Sequence, residues 1–426
     1  MLMGMSRFSV ILVLAILAAA GSAQAQQPAA VPPDAAVVTP PPPPPPPLPP
    51  PRSPVQFTTL AAPDAFSTPA RDTGLPPTLW RGTSLEVVKA VLPLLAERPL
   101  SPAAQALARR VLATGAQGPE GAGQDPELSA GRAAALMGQG DPRAAAAILA
   151  RAPGLDRSPE LARVAAESAL LTGQDARACQ VEAGLTSGRE DIYWVRLRTY
   201  CQAIGGQTAQ AQLTFDLAQS QAKDAVFARL MAAKLAGVGN PGAGSLRNGL
   251  DYALSRNLGL DLSAANPSPA VAAALATGGP DEPAFDVSFL RPELAAFAQA
   301  IASGKDLRYG ELMSGAGAIQ AGDPKTHAVG GASVLLFVAL ADRMPPDIAA
   351  PVREGKGLVA RDLALEDASH ARLMGETALL ALWACAEAGP AGLAVGERAR
   401  IVHALHQAGL ERDARAFALE GLLALK

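Results

Sequence analysis

Four glycines recur at a spacing of 33 residues: Gly140-Asp141, Gly173-Gln174, Gly206-Gln207 and Gly239-Asn240. Twelve residues before each stands a large apolar residue (Leu128, Leu161, Trp194, Phe227), and five after each a small one (Ala145, Ala178, Ala211, Gly244). Nine residues before, Val164, Leu197 and Leu230 are bulky or branched, whereas the first unit has Gly131. A period of about 20–50 residues marks a solenoid, in which each unit buries its apolar face against the next. The pattern reads as a first helix, a glycine turn and a second helix. The small residue lets the second helix pack closely on the first, and the bulky one fills the gap between neighbours.

Composition agrees on helix. Past Leu79 the chain is rich in Ala, Leu, Gly and Arg, and aromatics are 4% of the whole sequence. Ala and Leu favour helix, whereas strands want β-branched and aromatic residues. The expected class is all-α, an α-solenoid of helical hairpins over residues 79–258, followed by a C-terminal helical region over 259–426.

The repeating unit resembles a tetratricopeptide repeat, with its W-x2-L, Gly and Ala pattern. Trp194-x-x-Leu197 followed by Gly205, Gly206 and Ala211 is the best-matching unit. The likeness spans about Pro126 to Leu250. It departs in three ways: the period is one residue short, the terminal proline is missing, and Cys201 stands where the family usually has Tyr. The resemblance implies a concave groove, lined by first helices, that binds peptides or partner proteins.

The amino terminus carries a different message. Arg7, the apolar run Phe8–Ala20 and the tripeptide Ala23-Gln24-Ala25 form the pattern of a secretory signal peptide over residues 1–25. The apolar run is shorter than the roughly 20 residues that span a bilayer. An uncleaved anchor is the competing reading. No later run is long enough to cross, so the mature chain is expected to have no membrane span. Removing Arg7 takes the formal net charge from −3 to −4. Residues 26–78 read as a disordered Pro/Ala-rich linker, with Pro40–Pro47 an unbroken run. Such a run forms a stiff, extended spacer of about 3.1 Å per residue. It could hold the folded part off a membrane, thread the wall, or be a plain linker.

Other helices are expected at Pro102–Thr114 (with Ser101 as N-cap), Glu293–Ser303, Thr326–Arg343, Leu363–Glu387, Glu397–Gln407 and Glu411–Leu425. The last two, split by Gly409, read as a terminal hairpin capping the array.

Motifs for chemistry are weak. Ser220-x-x-Lys223 has the spacing of a penicillin-binding nucleophile, but Lys325-Thr326 is followed by His327 and no S-D-N triplet exists. Gly304-Lys305 and Gly355-Lys356 lack the glycines and hydroxyl of a phosphate loop, and Gly242-x-Gly244 follows no strand. His403 and His406 share a helix, where exposed positions are commoner than metal ligands. No basic stripe interleaved with aromatics suggests nucleic acid. The expectation is a non-enzyme with no cofactor, no metal and no nucleic-acid partner.

Tyr193, Arg196 and Tyr200 share a helix face by spacing and are residue types enriched at binding hot spots. They read either as a partner-binding patch or as packing between repeats. In a tetratricopeptide-like stack, Cys179 and Cys201 fall on antiparallel neighbouring helices, and export meets an oxidising compartment. That implies a Cys179–Cys201 disulfide, with Cys385 a buried free thiol; the alternative is three buried cysteines without a bond. Together these readings describe a periplasmic or secreted scaffold or adaptor that binds a protein partner of the cell envelope. The alternative is a peptidoglycan- or polysaccharide-associated envelope factor.

Overall fold

The computed structural model describes residues 64–150, 152–237, 241–268, 292–303, 324–340 and 360–425, with a few more between 271 and 290. The signal segment, the proline run and the Gly239-Asn240 turn lie outside them. Among the described residues there are sixteen α-helices, one short 3-10 turn and no strand. No helix among them is long and apolar enough to cross a membrane.

Three helical hairpins stand at the centre. They are α3 (Pro126–Gly138) with α4 (Pro142–Leu149), α5 (Pro159–Leu171) with α6 (Asp175–Gly184), and α7 (Ile192–Ile204) with α8 (Thr208–Gln221). Each first helix is started by a polar cap: Asp125, Ser158 and Asp191 accept from backbone N–H groups of the first turn. Proline stands at the first position of α3, α4 and α5, where its missing N–H has no helical partner to lose.

The hairpins also turn alike. Gly140, Gly173 and Gly206 have φ of 80°, 78° and 77°. The next residue's N–H reaches back to Leu136, Ala169 and Gln202 O at 2.8 Å in all three. This left-handed helix end suits glycine because a Cβ is strained there. Ala145, Ala178 and Ala211 are fully buried behind the turns, and Leu128, Leu161 and Trp194 are at most 4% exposed.

The pattern breaks at the fourth unit. Helix α9 (Ala225–Ala236) buries Phe227 and Leu230, but no second helix follows at Gly244, which lies in a loop. Instead α10 (Gly249–Asn257) packs on α9 and back on α5, although four helices separate it from α5 in sequence.

Helix α1 (Leu85–Glu97) carries a proline, Pro93, in its interior. It forms because Pro93 faces solvent, while Val88, Val91, Leu92 and Leu95 are buried. It rests between α3 and a C-terminal helix, α14 (Met374–Ala388). Helix α2 (Pro102–Ala113) follows; Ser101 precedes it without making a side-chain cap. The remaining helices are α11 (Pro292–Ser303), α12 (Pro324–Val338), α13 (Ala360–His370), α15 (Val395–Gln407) and α16 (Glu411–Ala424). The single helix expected at 363–387 is two, α13 and α14. They part at Arg372, whose φ of 54° makes it the one described non-glycine residue in the left-handed region.

The terminal hairpin α15–α16 turns through Gly409 (φ 84°) in the same way as the central three. Among the described helices it makes no extensive contact with the last repeat. It joins α2 instead, through a buried Arg110–Asp413 ion pair and an Ala103 N–H to Glu420 bond of 2.7 Å.

Residues 64–78, expected to be disordered, are packed: Phe66 is fully buried, 5.0 Å from the Trp80 ring. Arg132 on α3 secures this segment. Its buried guanidinium donates to the carbonyls of Leu112, Thr114, Ala65 and Thr68 at 2.8–3.1 Å. Burial pushes its pKa down to about 10, with the Asp64 charge acting against the shift. A charged donor so buried stays ionised because several carbonyls replace its water.

Candidate functional site

The faces of α5, α7 and α9 converge on α10 and the loop before it, and most of the anticipated site residues sit there. Tyr193 is half-buried. Its ring meets Trp194 edge-on at 5.0 Å, and the Arg163 guanidinium lies 4.7 Å above it. Arg196 donates to Ala222 O at 3.0 Å, pairs with Asp224 at 3.3 Å and lies 5.6 Å over the Phe227 ring. Tyr200 is fully buried. Burial first, then the nearby Asp175 carboxylate, pushes its phenol far up.

The three residues therefore do not form an exposed patch. Their spacing does place them on a shared side of α7, but α5, α9 and α10 cover that side. Arg196 fastens α7 to the start of α9, and Tyr200 is core.

Asp224 is the junction of this region. As N-cap of α9 it accepts from the Val226 and Phe227 N–H groups at 3.1 Å, and both its oxygens accept from Arg247 at 3.0 Å. Burial alone would raise its pKa, but the Phe227 N–H, Arg247 and Arg196 outweigh it and hold the carboxyl below its usual value. Glu167 on α5 is the opposite case. Burial outweighs the Gly249 N–H, the Tyr193 hydroxyl and Arg163, and its pKa is raised.

Cys179 on α6 and Cys201 on α7 are bonded, with Cα atoms 5.5 Å apart. The bond ties the second hairpin to the third. Cys385 is a free, buried thiol whose pKa burial pushes up to about 12.

The weaker motifs separate. His403 Nδ1 lies 3.2 Å from Ala339 O, and the Gln407 amide is 2.9 Å from its Nε2. His406 pairs with Glu411 instead. Among the described residues no group of three His, Cys, Asp or Glu is placed to hold a metal ion. The Ser220 hydroxyl is exposed and donates to Leu217 O at 2.8 Å. The Lys325 side chain and the Gly304-Lys305 and Gly355-Lys356 pairs lie outside the described residues.

One surface escaped the sequence reading. On α8, Leu213 and Leu217 are 73% and 50% exposed, the two most exposed large apolar side chains among the described residues. They stand four apart beside exposed Ala209, so they form one stripe, rimmed by Gln212, Asp216 and Ser220. The signal was readable: helical spacing puts Leu213 opposite buried Ala211 and Ala218, with Leu217 beside it on the flank.

No family model, curated protein or solved structure matches this chain.

Proposed function

We propose that the protein is an exported, tetratricopeptide-like helical scaffold that binds a protein partner of the cell envelope through the outer face of α8. The observation that carries the reading is the exposed Leu213–Leu217 stripe on the last complete hairpin. Exposed apolar residues grouped on one face and rimmed by polar ones mark interaction sites. Three hairpins with matching glycine turns at a 33-residue spacing support the repeat reading. The disulfide supports export, since such bonds persist in oxidising compartments. The partner would offer leucine-sized apolar pockets.

The test compares wild type with a Leu213→Asp/Leu217→Asp variant in pull-downs from detergent extracts and on purified sacculi. Wild type should retain an envelope protein that the variant loses, with helicity unchanged. Equal retention by both proteins, or retention on sacculi alone, refutes the reading. Export is checked separately: native protein should begin at Gln26, and an intact mass retaining Met1–Ala25 contradicts it.

A further inference from the structure

A cavity of about 210 Å³ is bounded by the turns at Gly140 and Gly173, by α10 and by Leu275. Gly173 lets α10 come close, since a Cβ there would lie 2.6 Å from Arg256 Nη1. Apolar surface comes from Leu171, Leu275 and the Tyr252 ring, with the Arg256 guanidinium 5.5 Å from that ring's centre.

Three charged side chains also line the cavity, and two of them are already paired. Asp141 pairs with Arg71 at 2.5 Å and accepts from the Ala144 N–H at 3.0 Å. Arg256 pairs with Asp175 at 2.6 Å. Arg143 differs: it is exposed, and among the described residues it has no acidic partner. Each of the two pairs sums to zero, so the cavity is left with the single positive charge of Arg143. Solvent reaches the cavity from that side.

We propose that this cavity binds a small monocarboxylic acid, its carboxylate on Arg143 and its short branched tail against Leu171, Tyr252 and Leu275. A guanidinium matches a carboxylate through two parallel hydrogen bonds. One unpaired positive charge suits one negative charge, whereas a phosphate dianion would bring a second one up to Asp141. Size sets the rest. Sites for drug-sized ligands run to about 300–1,000 Å³, so this one takes something smaller. A water molecule's share of the liquid is about 30 Å³, which makes the cavity worth about seven waters. That volume favours a free acid over the end of a peptide chain. The site is independent of the α8 stripe.

Ligand-observed NMR titration of the full mature chain with 4-methylpentanoate tests it; the probe's roughly eight heavy atoms match the volume. Wild type should bind it with a Kd on the order of 1 mM, a realistic affinity for so few atoms. The probe's uncharged amide and inorganic phosphate should each bind at least about tenfold more weakly. Arg143→Gln should weaken acid binding at least about tenfold, with an unchanged thermal melt because the side chain is exposed. Arg157→Gln, at another exposed arginine, should leave binding unchanged. No saturable binding of the acid, or equal binding of acid and amide, overturns the proposal. Undiminished binding by Arg143→Gln overturns it too. Tighter binding of acetyl-Ala-Ala-Leu would assign the cavity to chain ends and overturn the choice of a free acid.

Discussion

Replacing Arg132 with Met should release the segment that precedes α1. The guanidinium is fully buried and serves four carbonyls, two of them, on Ala65 and Thr68, in that segment. Hydrogen bonds to a charged group contribute about 1.5–3 kcal/mol each, a gross 6–12 kcal/mol for four. Against this stands the burial of the charge. A pKa held at about 10 instead of 12.5 corresponds to about 3 kcal/mol. Met keeps the stem's packing but leaves the carbonyls unmet, and breaking buried charged clusters typically costs about 3–5 kcal/mol. Because Ala65 and Thr68 are held by Arg132 across more than 60 residues of sequence, much of the loss should appear as local release of this segment. Trypsin reports it, since Arg71 lies in the segment and pairs with Asp141 at 2.5 Å. Cleavage there follows the population of the open form, so a loss of about 3 kcal/mol means roughly hundredfold faster cutting. An unchanged cleavage rate and urea midpoint would refute the role given to Arg132.

Trp194→Ala should destabilise the chain by about 3–5 kcal/mol in urea unfolding, since the ring is 2% exposed; a change under about 1 kcal/mol contradicts its placement in the core. Thiol counting on denatured, unreduced protein should find one free thiol, Cys385. Replacing Cys179 and Cys201 with Ala should cost about 3 kcal/mol, because the bond closes a loop whose ends are 22 residues apart. The pH dependence has a definite sign. The native pKa of Glu167 is raised above the ordinary 4.5, so the stability it contributes is full below that value and lost as pH rises through the native one. Glu167→Gln should flatten this fall between acid and neutral pH in thermal melts; an unchanged slope contradicts the burial of the carboxyl.

Local chemistry was the legible part of this fold. Ala- and Leu-rich stretches declared helices, and glycines at 140, 173, 206 and 409 declared turns, because a left-handed helix end depends on one residue type. The cysteine pair was legible only through the hairpin arrangement it bridges. What stayed hidden depends on partners distant in sequence. Pro93 sits inside a helix on its exposed side, as does Lys89, the residue whose carbonyl loses its helical partner there. Arg372 turns the chain without glycine or proline to announce it. Residues 64–78 fold because an arginine some 60 positions onward meets their carbonyls. The Tyr193–Arg196–Tyr200 face was correctly grouped, but helical spacing does not say whether water or another helix covers it. Here α5, α9 and α10 cover it, and nothing near residue 249 points to α5. The α8 stripe was legible in principle, yet two leucines among alanines read as core until the neighbours are in place.

The central claim, that α8 presents a partner-binding face, is tested most directly by photo-cross-linking in intact cells. A photoreactive residue at position 213 should give a discrete protein adduct. The same residue at exposed position 89, on α1, should give none. No adduct from 213, or equal adducts from both positions, would contradict the account.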